Sequence, residues 1–217
     1  MRAKTTLSLL LLLSLWASPL RAAEPTRMTP LLPIGGVVLE VPLPEKYESL
    51  PESDRQFAAI AERMRAIGPL RTLGVFRAMG PIQGKIMVVG GQETTLATTI
   101  GFDAMRGLFR NIDWGIEARK QVEGQAGSHV DPTQTGLFAE SELHAAAALV
   151  AQPNKAGDLP FAVVMLVQVY EGKFLFFYFY EPITSKDTQP ELKTEALRYF
   201  EVCKDTGKLR FAEADGR

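Results

Sequence analysis

The sequence predicts an α+β domain, a mainly antiparallel sheet with helices packed on its faces. Three observations lead there. Phe161 to Tyr170 and Lys173 to Glu181 are two β-rich runs joined by Glu171-Gly172, the pattern of a hairpin. The second run is apolar on both sides, with Phe174, Phe176, Tyr178 and Tyr180 on one and Leu175, Phe177 and Phe179 on the other. Such a strand belongs in the middle of a covered sheet, because an edge that apolar would aggregate. Other stretches repeat apolar residues at three- and four-residue steps and supply the covering helices.

The elements follow in order. Val37 to Val41 is a short strand stopped by Pro42 and Pro44. Ser49 with Glu52, or Ser53 with Gln56, makes a capping box for a helix whose inner face is Phe57, Ile60, Met64 and Ile67, closed by Gly68-Pro69. Leu70 to Met79 and Lys85 to Val89 are strands, and the Gly90-Gly91 doublet reads as a turn or bulge. Thr94 to Thr99 is polar. One long helix is expected from about Gly101 to Gln121, with Phe102, Met105, Phe109, Ile112 and Ile116 in one stripe and Trp114 outside it. Gly124 to Gly136 is a polar loop. Leu137 to Ala151 alternates like a strand at first, but Ala145 to Ala148 also permits helix. A closing helix spans about Pro190 to Lys204, and Leu209 to Phe211 is a tail that either adds a strand or frays.

The 217 residues are 46% hydrophobic and 23% charged, which is globular composition with enough length for one core. The amino terminus reads as a secretory signal peptide: Arg2 and Lys4, an apolar run from Leu7 to Leu15, and small residues at Ala22 and Ala23. The apolar segment is shorter than the ~20 residues that span hydrocarbon. The expected organisation is signal peptide at 1–22, a Pro-rich extended tether at 23–35, and a single α+β domain at 36–211. No second span of membrane length follows the leader, and no cysteine near the junction offers a lipoprotein anchor. The net charge of −1 excludes a global pull toward nucleic acid. Cys203 is alone, so no intramolecular disulfide forms, and it is expected as a packed thiol in the last helix.

The opening Val-Leu-Glu-Val-Pro-Leu-Pro-Glu at 38–45, the 161–180 hairpin, and a terminal helix carrying Arg198-Tyr199-Phe200 give an order of elements that resembles the PsbP-like α/β/α sandwich of small exported bacterial proteins. That resemblance rests on no diagnostic motif. It implies a protein that binds other proteins and lacks a common catalytic apparatus.

Motifs of known chemistry are absent from the sequence. There is no Gly-x-Ser-x-Gly elbow, phosphate loop, cysteine pair or His-Glu-x-x-His, so no catalytic set and no cofactor are assigned. If 138–145 is one strand, Glu140, Glu142 and His144 share a side at two-residue spacing, a partial set for a divalent cation and the basis of a metal-dependent hydrolase reading. A solvated sheet face explains the same spacing. Ser128, His129 and Asp131 sit together in the polar loop, but adjacency alone does not make a triad. The six aromatics between Phe174 and Tyr180 read first as core and second as the lining of a small-ligand or lipid cavity. The expected function is therefore a periplasmic or secreted, non-catalytic binding or accessory module of the bacterial envelope. Its partner is expected to be another envelope or secreted protein, recognised through the tether, Thr94 to Thr99 and Gly124 to Gly136, with Trp114 as the anchor.

Overall fold

The computed structural model describes residues 31–34, 37–44, 46–68, 70–80, 84–98, 100–123, 128–141, 144–154, 159–170, 172–206 and 211–213. The segments expected as leader and, for the most part, as tether lie outside them. Within the stretch expected as tether, Leu31–Ile34 is a strand, β1, paired antiparallel with β2, Val37–Glu40.

The remaining elements are β3 (Tyr47–Ser49), α1 (Arg55–Ile67), β4 (Leu70–Ala78), β5 (Ile86–Gln92), α2 (Glu93–Ala97), α3 (Phe102–Arg110) and α4 (Trp114–Glu123). They continue with β6 (Ser128–Val130), β7 (Gly136–Glu140), β8 (His144–Pro153), β9 (Phe161–Tyr170), β10 (Lys173–Pro182), α5 (Thr188–Thr206) and β11 (Phe211–Glu213). One sheet has eight strands in the order β3-β4-β5-β10-β9-β8-β6, with β7 sharing the outer edge of β8. Every pairing is antiparallel. The edges are short strands, β3 on one side and β6 and β7 on the other, which offer little backbone to a stray strand. A second sheet, β1-β2-β11, is formed where the tail joins β2, so the carboxyl end adds a strand.

Strand β10 lies between β5 and β9, as its two apolar faces require. Leu175, Phe177 and Phe179 enter one core with Leu192, Ala196, Tyr199 and Phe200 of α5, and Leu32 and Leu39 of the small sheet join that core. Phe174, Phe176 and Tyr178 enter the other core, beneath Phe57 and Met64 of α1, Met105 and Phe109 of α3, and Ala118 and Val122 of α4. The architecture is thus three layers, with a buried sheet between helices.

The expected long helix is two helices. Asn111 ends α3 through its N–H to the Leu108 carbonyl (3.2 Å), and the Asp113 carboxylate starts α4 by accepting the Ile116 N–H at 3.0 Å. The break resets the helical phase. Met105 and Phe109 stay buried, while Phe102 and Ile116, expected in the same stripe, are exposed. The first helix is capped by Asp54, which accepts the Gln56 N–H at 2.7 Å, rather than by either serine. Gly90 and Gly91 are not a turn: they pair with Phe176 and Leu175 inside the sheet. A Cβ on Gly91 would sit 2.7 Å from the Leu96 side chain, so the missing side chain is what lets α2 lie against β5. Residues 137–151 form two strands, with Ala145 to Ala151 buried on both faces of β8. Pairing on both edges overrides the helix preference of alanine there.

The β9–β10 hairpin turns at Gly172, whose φ is +72°. A Cβ there would lie 2.2 Å from the Ile100 carbonyl oxygen, so both conformation and space demand glycine. Gly172→Ala is expected to cost about 2 kcal/mol or more, read as a fall in the denaturant midpoint. An unchanged midpoint would refute this account of the turn.

Candidate functional site

Between α5 and the β3–β4–β5 end of the sheet lies a cleft of about 1170 Å³. Its walls are Leu43, Pro44 and Lys46 on the strand side and Pro190, Glu191, Thr194, Arg198 and Val202 along α5. Its floor is a polar cluster. The Lys85 ammonium lies 2.9 Å from Glu181 Oε2 and 2.5 Å from Glu195 Oε2, and the Tyr47 hydroxyl donates to Glu195 Oε1 at 2.9 Å.

The sheet register delivers these groups. Glu181 is the inward residue near the end of β10, Lys85 immediately precedes β5, the strand paired with β10, and Glu195 comes down from α5. Tyr47 starts β3 directly after Lys46, which takes the left-handed φ of +63° and whose carbonyl accepts the Met79 N–H at 2.5 Å. That tight turn aims the phenol under α5.

The electrostatics follow from burial. Burial drives the Lys85 ammonium toward neutrality, but the hydrogen bonds and charges of Glu195 and Glu181 outweigh it and hold its pKa above the ordinary lysine value. Burial, then the adjacent Glu195, push the Tyr47 phenol well above its usual range, so it stays a donor. One ammonium is shared by two carboxylates, of which Glu181 is almost fully buried. The mouth mixes exposed apolar side chains, Met79 at 53% and Val202 at 48% exposure, with the exposed Lys46, Glu191 and Arg198. Three basic residues (Lys46, Lys85, Arg198) and three acidic ones (Asp187, Glu191, Glu195) line the whole cleft, so its charge is balanced.

Trp114, the expected partner anchor, is not at the surface. It is 2% exposed, its indole N–H donates to the Phe109 carbonyl at 3.1 Å, and its ring packs on Phe109 at 4.8 Å and against Phe174 at 5.8 Å. The helix break explains the correction, because Trp114 opens α4 and points at the sheet instead of lying outside the stripe of one continuous helix. Beside it, a smaller pocket of about 290 Å³ opens toward Gly68, Gln92 and Glu117.

The proposed cation set is also rearranged. Glu140 ends β7 and His144 begins β8, so a turn separates residues expected on one strand, closed by the Ser141 N–H to the His144 carbonyl at 2.8 Å. The His144 ring lies 4.2 Å from that of Phe200 and contacts the Ser141 hydroxyl through Nδ1. Glu142 lies outside the described residues. Among the described residues, no group of three or more His, Cys, Asp or Glu side chains comes together as metal ligands.

The other flagged segments have structural work. Asp131 accepts from the Thr133 hydroxyl and N–H and from Gln134, capping a 3₁₀ turn at Pro132–Gln134; those bonds, the Thr133 hydroxyl foremost, hold its carboxyl below the usual range. His129 instead meets Asn154 at 3.4 Å. The Thr94–Thr99 stretch overlaps α2, whose Thr95 and Leu96 are buried, and the carbonyls of Thr95, Leu96 and Thr98 accept from the buried Lys173 ammonium at 3.2 to 3.4 Å. Cys203 falls in α5, with its side chain outside the described residues. No helix among the described residues is long and apolar enough to cross a membrane.

The Lys85 cluster was missed in the sequence because its members are up to 148 positions apart. A faint trace existed: Glu181 is an acid closing the most apolar strand in the chain, and a buried carboxylate needs a partner.

Lys85→Met leaves Glu181 buried without its cation and is expected to cost about 3 kcal/mol, with Lys85→Met/Glu181→Met recovering most of it in denaturant titrations. Because the Lys85 pKa is raised by folding, its contribution is complete below the ordinary lysine range and fades only as pH rises through the raised value. Wild type should therefore lose this increment at strongly alkaline pH, and Lys85→Met should show no such loss. Trp114→Ala is expected to behave as a core truncation, costing about 3–5 kcal/mol; a loss below ~1 kcal/mol would contradict the packing described.

No protein-family model matches the chain, and no curated protein matches it. Among solved structures the fold is similar to LpqN, described as involved in cell envelope biogenesis of Mycobacterium tuberculosis, at a TM-score of 0.35 and 14% identity over 77% of this chain and 82% of that one.

Proposed function

We propose that the chain is an exported, non-catalytic binding module that receives a segment of another envelope or secreted protein in the cleft beside α5. The cleft carries this reading: it is large, open, mixed apolar and polar at its mouth and balanced in charge. Such a surface suits a mixed apolar and polar polypeptide segment and gives nucleic acid no basic stripe to follow. Its floor groups are bound to one another, so Lys85 and the two carboxylates act as a brace under the cleft. The leader-like pattern of residues 1–22 supports export, and the order of elements resembling PsbP-like proteins is in keeping with a partner-binding role.

A photo-crosslinking amino acid placed at Met79 or at Val202 should capture the same protein in cells, while one at Leu108 or Ile116, exposed over the opposite face, should not. Met79→Asp should abolish capture from Val202 without lowering thermal stability. Equal capture from Leu108, or none from either cleft position, would overturn the reading.

A further inference from the structure

On the other side of the sheet, the 290 Å³ pocket next to Trp114 has a chemistry of its own. We propose that it binds a small organic ammonium ion, a quaternary or methylated amine. The inference gives a ligand class to the small-ligand reading of the aromatic strand and does not depend on the α5 cleft.

The first support is the aromatic wall. Trp114, Phe174 and Phe176 line the pocket, with ring centroids 5.8 Å apart for Trp114 and Phe174 and 6.3 Å apart for Trp114 and Phe176. Both phenyl planes stand at 60° to the indole, so the rings meet at an angle and do not seal into a flat stack. Rings placed around a void attract a cation through their electron-rich faces, and desolvation by the protein strengthens that attraction.

The second support is the carboxylate at the rim. Glu117 sits on the first turn of α4 and lines the same pocket. Its Oε1 accepts from Gln121 Nε2 at 2.8 Å, and the Gln121 carbonyl oxygen in turn accepts the Tyr178 hydroxyl. Gln121 thus holds the Glu117 carboxylate in place and is itself held by Tyr178. The arrangement places a carboxylate beside aromatic rings in one pocket.

The third support is size and composition. About 290 Å³ is at the low end for small-molecule sites and suits a compact head group. Leu70 and Ile112 supply apolar contacts for methyl groups, and Gln92 supplies a polar atom for a hydroxyl or amide attached to the cation.

Calorimetric titration of the full chain with choline and with its uncharged isostere 3,3-dimethyl-1-butanol tests the idea directly. Choline should bind at least about tenfold more tightly than the isostere. Glu117→Gln keeps the acceptor for Gln121 and should reduce that preference to near unity without shifting the unfolding midpoint. The Trp114 indole N–H resonance should move on addition of choline. Equal binding of the two probes, no choline binding up to roughly 100 mM, or an undiminished preference in a folded Glu117→Gln would each overturn the proposal. If Glu117→Gln does not fold, the two probes on the wild-type chain still decide. Any of these failures leaves the cleft reading standing, because crosslinking from Met79 and Val202 reports on the opposite face.

Discussion

Burial of β10 on both faces is the constraint on which the rest of the structure depends. Seven consecutive large apolar or aromatic residues, Phe174 to Tyr180, cannot be left at an edge or under a single layer. Pairing with β9 along the whole strand and with β5 from Leu175 to Tyr180 satisfies the backbone, and helices on both faces satisfy the side chains. The division of labour among helices follows from that. α5 covers Leu175, Phe177 and Phe179, while α1, α3 and α4 cover Phe174, Phe176 and Tyr178.

Both candidate sites arise where this covering is incomplete. Helix α5 lies across β9 and β10 and leaves the β3–β4 end of the sheet open, which creates the large cleft. The gap is bridged underneath by Lys85, Glu181, Glu195 and Tyr47, so a charged cluster does there what apolar packing does elsewhere. On the opposite face, α4 approaches the sheet through the small Ala118 and the Gln121–Tyr178 hydrogen bond, leaving a void beside the larger rings at its amino-terminal end. Polar atoms in both places are tied to partners across the layers, which fixes how far each helix stands from the sheet.

The fold was legible in the sequence where pattern and physics agree over a long run. The 161–182 hairpin, its two-residue turn and the two-faced strand could be placed from alternation and Gly172 alone, and α1 and α5 from their apolar spacing. Three features were not legible. The long helix over 101–121 breaks at Asn111–Asp113, because an Asp cap and a buried indole outweigh a continuous apolar stripe. The alanines of β8 carry a helix preference that pairing on both edges overrules. Gly90-Gly91 looks like a turn until Leu96 is seen to occupy the space its side chain would take. The helix break and the glycine doublet are decided by side chains three to five residues away, while β8 is decided by strand pairing, and in each case packing overrules a backbone preference.

By itself the sequence determined the α+β class, the antiparallel hairpin and the need for helices on at least one face of the sheet, because period and hydrophobicity are local properties of the chain. Only the tertiary structure decided that Trp114 turns inward, that Glu140 and His144 part at a hairpin, and that Tyr47, Lys85, Glu181 and Glu195 meet. Those outcomes depend on the distance between layers and the register between strands. A one-residue slip in β5 against β10, or a helix without its break, would send each of these side chains elsewhere.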